Sequence, residues 1–108
     1  MLLQARSLTA WVAANLVASA VFLHFASWTW LEPNLRSENV ARGADAVVWM
    51  FSAFPVLLIA ALANLLWFIL AGLEQRSSGA PWPIHATLLV TLIWACAMAL
   101  NGLRFAGY

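Results

Sequence analysis

The chain has 108 residues, 65% of them hydrophobic and 8% charged, with a formal net charge of +1. Soluble domains carry about 25% charged residues, so nine charges cannot solvate the surface of a water-soluble fold. That excludes an ordinary soluble domain, a disordered tail and a nucleic-acid binder, which would need a basic stripe. All five basic residues are scattered arginines, so there is no polybasic run for anionic lipid. The single Cys96 excludes a disulfide within the chain and a Cys-based zinc site. An integral membrane protein remains, in keeping with a mean hydropathy of +0.88.

Three charge-free runs follow one another: Ser7 to Leu31, Ala46 to Leu73 and Ser77 to Leu103. Each is long enough for one helix across about 30 Å of hydrocarbon and too short for two. The apolar residues do not alternate with polar ones, and three runs cannot close a barrel, so helices are preferred to strands. The expected fold is an all-α membrane protein of three antiparallel transmembrane helices, about 8–31, 47–73 and 84–105, in one domain covering 1–108. The first run competes with a signal-peptide reading, since Arg6, an apolar stretch and Ala18-Ser19-Ala20 resemble a cleavable leader. The apolar run continues through Val21-Phe22-Leu23 to Leu31, which argues for a retained span.

Local chemistry sets the expected boundaries. Glu32-Pro33-Asn34 stops the first helix, because proline disfavours helix in the residue before it. Residues Ser37 to Arg42 are expected to form one interfacial helical turn. Asp45 is expected as the N-cap of the second helix. Pro55 should bend that helix and free the carbonyl of Phe51, with Ser52 close enough to help satisfy it. Ser77-Ser78-Gly79-Ala80-Pro81 reads as a turn, and Pro83 suits the first turn of the third helix.

Take side A as the end holding the N-terminus and the 74–83 loop, and side B as the opposite end. Side A carries Arg6 and Arg76, and side B carries Arg36, Arg42 and Arg104. Two against three does not decide orientation. The short N-terminal segment and compact 74–83 loop lean towards side A as the cytoplasmic side. Trp11, Trp67 and Trp82 cluster towards side A. Trp28, Trp30 and Trp49 cluster towards side B with Tyr108, and Trp94 falls mid-span. Two indole belts are what headgroup anchoring gives.

Polar residues inside the spans are the functional pointers. Rise per residue puts Asn15 and Asn64 at similar depth, able to bond across the first two helices, with Ser19 one turn from Asn15 on its face. Near side B gather His24, Ser52 and Asn101. Arg104 lies one turn from Asn101, within reach of Glu32 or Asp45. Small-residue ridges at Ala10, Ala14, Ala18 and at Thr87, Thr91, Ala95, Ala99 favour close helix approach and a tight bundle.

His24 has the most chemical potential. Ala20 precedes it by four residues, with Trp28 and Trp30 downstream, and this resembles the Ala-x-x-x-His pigment site of bacterial light-harvesting polypeptides. That resemblance implies haem or chlorophyll ligation at His24. Those polypeptides have a single span, from which this chain departs. His85, the other histidine, lies near side A and cannot clamp the same haem. Ala53-Phe54-Pro55 and the Trp-bearing third span resemble small uncharacterised three-helix bacterial inner-membrane proteins. That likeness implies a bacterial inner membrane and no activity.

No Ser/His/Asp set, HExxH, Gly-rich phosphate loop or paired carboxylate occurs. The expected function is therefore a non-enzymatic accessory subunit, or an immunity-type partner of another membrane protein. It would pack a first-helix face of Ala10, Ala20, His24 and Trp28. No cofactor or metal is expected in that case, and the partners are the bilayer and another membrane protein or a second copy. The alternatives are a homo-oligomeric pore or small transporter lined by Asn15, Ser19 and Asn64, and a haem- or chlorophyll-binding subunit using His24.

Overall fold

The computed structural model describes residues 1–35, 37 and 41–108. Three α-helices make up most of it: α1 (Ala5–Ala26), α2 (Gly43–Ser78) and α3 (Ile84–Phe105). Two short 3-10 turns, Ser27–Thr29 and Pro33–Leu35, follow α1, and there is no strand among the described residues. Each helix is long and apolar enough to cross a membrane, so the chain is a multi-pass, all-α membrane protein.

The ends differ from expectation in instructive ways. α1 stops at Ala26, before the Glu32-Pro33 signal is reached. Thr29 Oγ1 donates to the Ala26 carbonyl at 2.8 Å and Ser27 Oγ donates to the carbonyl of His24, so hydroxyls compete for the last helical acceptors. The chain tightens into a 3-10 turn and leaves it at Trp30 in an extended conformation. α2 is 36 residues long and runs past both expected limits. Its N-cap is Arg42 rather than Asp45, which lies in the first turn and pairs with Arg42 at 3.0 Å. At the far end Ser77 and Ser78 stay helical. Gly79 ends the helix at φ 72°, its N–H donating to the Gln75 carbonyl at 2.8 Å. Only glycine enters that left-handed conformation without a Cβ penalty. Pro83 is the residue that caps α3. Of the interfacial turn expected at Ser37 to Arg42, residues 38–40 lie outside the described residues.

The helices pack around α1. It lies against both α2 and α3, whereas α2 and α3 make no close backbone approach among the described residues. The expected tight bundle is therefore open on that side. Aromatic bulk explains why: Phe22, fully buried on α1, meets Trp49 of α2 edge-on at 6.3 Å and Trp94 of α3 at 6.0 Å. Around them lie Ala26, Ala53 and Ala97, where the missing side-chain volume lets α1 sit close. Of the ridge Thr87, Thr91, Ala95 and Ala99, the last three are exposed, and Thr87 is half-buried, its hydroxyl accepting from Trp82 Nε1 at 3.1 Å. The buried positions of α3 are Val90, Ala97 and Asn101. Along α1 they are Trp11, Asn15, Ser19, Phe22 and Ala26, one stripe at three- and four-residue spacing. Partner residues fall along α2 as they rise along α1: Trp11 stacks on Trp67, Asn15 bonds Asn64, and Phe22 meets Trp49. Along α3 they rise together, Asn15 with Trp94 and Trp30 with Asn101.

Candidate functional site

The interior polar layer begins from two amides on facing helices. Asn15 Nδ2 donates to Asn64 Oδ1 at 3.1 Å, and Asn64 Nδ2 donates back to Asn15 Oδ1 at 2.7 Å. Each carbonyl oxygen has a second lone pair, and each takes an indole. Trp11 Nε1 donates to Asn64 Oδ1 at 2.8 Å, and Trp94 Nε1 donates to Asn15 Oδ1 at 2.9 Å. The remaining Asn15 hydrogen goes to the Trp11 carbonyl at 2.9 Å. Asn15 thus makes all four bonds open to an amide. The layer ties all three helices, with α3 represented by Trp94. Ser19 is buried, yet donates at 2.8 Å to Leu16 O of its own helix. It adds no bridge between helices. An apolar groove of about 470 Å³ runs beside this layer between α1 and α2, walled in part by Ala14, Ala18, Ala60 and Ala63.

Sequence reasoning placed the two asparagines and missed both tryptophans as bonding partners. The signals were there. Trp11 sits one turn before Asn15, and Trp94 is the one indole without a headgroup reason for its position. A mid-span N–H has no water to meet and must find an acceptor in the protein.

At side B the polar residues do not gather as expected. Ser52 Oγ donates to Val48 O of α2 at 2.6 Å, so it neither bridges helices nor reaches the Phe51 carbonyl freed by Pro55. His24 is exposed and packs edge-on against Phe25 and Trp28. Asn101 is buried, and its Oδ1 accepts from Trp30 Nε1 at 3.2 Å. Arg104 reaches neither Glu32 nor Asp45. It donates to the Tyr108 carbonyl and lies 5.5 Å from the Trp30 ring.

The residue that organises this end is Arg42. Its guanidinium donates to the Thr29 carbonyl, to the Phe105 carbonyl and to Asp45, and stacks over the Phe105 ring at 3.8 Å. One planar fork therefore joins the end of the α1 segment, the end of α3 and the start of α2. Nothing in the spacing of the sequence singled Arg42 out from the other arginines.

At side A, Trp11 stacks on Trp67 at 3.6 Å, and Trp67 and Phe68 pack against Trp82 at 6.0 and 5.9 Å. The N-terminal amine pairs with Glu74, whose other oxygen accepts from Leu3 N at 2.9 Å. His85 is exposed near Leu8 and Thr9, at the end opposite His24.

Ala10, Ala20, His24 and Trp28 are all exposed. At 100° per residue His24 points opposite the centre of the buried stripe, and Ala10 and Ala20 lie within 40° of His24; Trp28 follows in the 3-10 turn, its ring against His24. No catalytic constellation is assembled among the described residues, and no group of three or more His, Cys, Asp or Glu side chains could hold a metal ion among them. The chain matches no family model, no curated protein and no solved structure in the comparisons made.

Proposed function

We propose that this chain is a small non-enzymatic membrane subunit of the accessory or immunity type. It would pack the outward face of α1 against another protein in a bacterial inner membrane. The observation that carries the reading is the division of polar groups between the two faces of α1. Inside, Asn15 is fully hydrogen-bonded within the chain. Outside, the His24 imidazole stands exposed, with the rings of Phe25 and Trp28 edge-on against it and no hydrogen-bond partner among the described residues. Ionisable groups within a span generally face protein or an aqueous cavity rather than lipid. The full use of Asn15, the two donors on Asn64 Oδ1 and the bond of Ser19 to its own helix speak against a pore lined by Asn15, Ser19 and Asn64, since a water pathway needs free donors and acceptors.

The test is capture of a tagged chain from native membranes in mild detergent, followed by mass spectrometry. The wild type should recover one membrane protein in near-stoichiometric amount. Ala20→Trp, on the outward face of α1, should lose it, and Ala95→Trp, on the exposed side of α3, should keep it. Recovery of no partner together with ion flux through reconstituted liposomes overturns the reading. A visible absorption band in the purified protein would instead favour a pigment or haem on His24.

A further inference from the structure

At side B a groove of about 360 Å³ opens between the first turns of α2 and the last turns of α3. Its walls are Ala46, Trp49, Met50, Asn101, Gly102 and Phe105. Two of these carry an N–H with nothing to donate to among the described residues. Asn101 is 9% exposed; its Oδ1 is taken by Trp30, and its Nδ2 has no acceptor. The Trp49 indole nitrogen is buried and equally without one. The rest of the wall is apolar. None of these lining residues is charged, and the guanidinium of Arg42, which covers Phe105, is engaged by Asp45 and two carbonyls.

The Asn101 amide opens onto the groove, and a donor there that loses its water without gaining an acceptor costs about 1–3 kcal/mol, so the wall asks for a neutral acceptor. The depth says which kind. Asn101 lies three residues, about 4.5 Å, inside Arg104 and opposite Trp30, in the zone just beneath the headgroups. A phosphate there would need a cation in the groove wall, and none of the lining residues is charged. The backbone carbonyls of a neighbouring transmembrane helix are already used by its own hydrogen bonds. The free carbonyls of this zone belong to the glycerol esters of the lipid itself.

We propose that the groove seats one glycerolipid. An acyl-ester carbonyl accepts the Asn101 Nδ2–H bond, and the acyl chain lies along Ala46, Met50 and Gly102. Native mass spectrometry of the purified full chain tests this with diacyl phosphatidylethanolamine and its dialkyl-ether analogue, which lacks the carbonyl. The wild type should retain one diacyl lipid with about fivefold preference over the ether, as one net hydrogen bond implies. Asn101→Leu should abolish the preference. Gly102→Leu should abolish retention by filling the groove, and it leaves the Asn101–Trp30 bond untouched, because a Cβ at 102 meets nothing within 4 Å. Equal retention of ester and ether lipid by the wild type overturns the proposal. So does a preference that survives either substitution.

Discussion

Asn15 and Asn64 each serve as the other's donor and acceptor, and this reciprocity sets what either residue does for stability. A leucine at 64 removes three bonds at once. It also leaves Trp11 Nε1 and part of the Asn15 amide unpaired. Hydrogen bonds between transmembrane helices average about 0.6 kcal/mol and reach about 2, but an orphaned buried donor adds a desolvation cost of its own. Asn64→Leu should therefore lower stability by about 1–3 kcal/mol, read as thermal unfolding in detergent, with insertion unimpaired. Asn15→Leu should cost as much or more, because it also frees Trp94. The double substitution should cost at least about 1 kcal/mol less than the two singles together, since each alone strands the other's amide. Strict additivity would mean that the two amides do not meet.

At the scale of elements, hydropathy carried the argument well and side-chain chemistry at the helix ends carried it less well. The existence and order of three helices follow from charge-free runs, which report directly on what hydrocarbon tolerates. The end of α1 was not legible, because two hydroxyls withdrew acceptors from the helix before the proline could act. Small-residue spacing misled for α3. Alanine is so common in this chain that small residues at four-residue spacing, Thr91, Ala95 and Ala99, arise on an exposed face. The Asn15–Asn64 pairing was legible from rise per residue alone. The roles of Trp94 and Arg42 needed helix rotation and loop path, neither of which a sequence pattern supplies. Gly79 illustrates a boundary that both levels agree on. A Cβ there would touch nothing within 4 Å, so Gly79→Ala carries only the strain of φ 72°. It should destabilise by about 1–2 kcal/mol, measured by denaturation in mixed micelles. An effect near zero would show that the turn can relax into another conformation.

For the whole molecule, the length of α2 is in tension with its anchors. At 1.5 Å per residue its 36 residues run about 54 Å, nearly the 57 Å long axis of the protein. α1 and α3, with 22 residues each, run about 33 Å and match about 30 Å of hydrocarbon. Two arrangements reconcile them: α2 tilts until its whole uncharged stretch is covered, or its last turns project beyond the membrane at side A. The aromatic contacts favour projection. Trp11, Trp67, Phe68 and Trp82 touch one another and so share one level. Trp49 and Trp67 are 18 residues apart, about 27 Å along the helix, which fits a bilayer crossed with little tilt. Leu73 then stands six residues, about 9 Å, outside the side-A belt, exposed although apolar, in the turns that hold Glu74 against the N-terminal segment. Spin labels at Leu62 and Leu73, both lipid- or solvent-facing on α2, distinguish the two arrangements in reconstituted bilayers. Projection requires the Leu73 label to collide readily with a water-soluble nickel reagent, while the Leu62 label collides preferentially with oxygen dissolved in the hydrocarbon. If Leu73 is as shielded as Leu62, α2 lies oblique along its full uncharged length and the tryptophan belts do not set the depth of this protein.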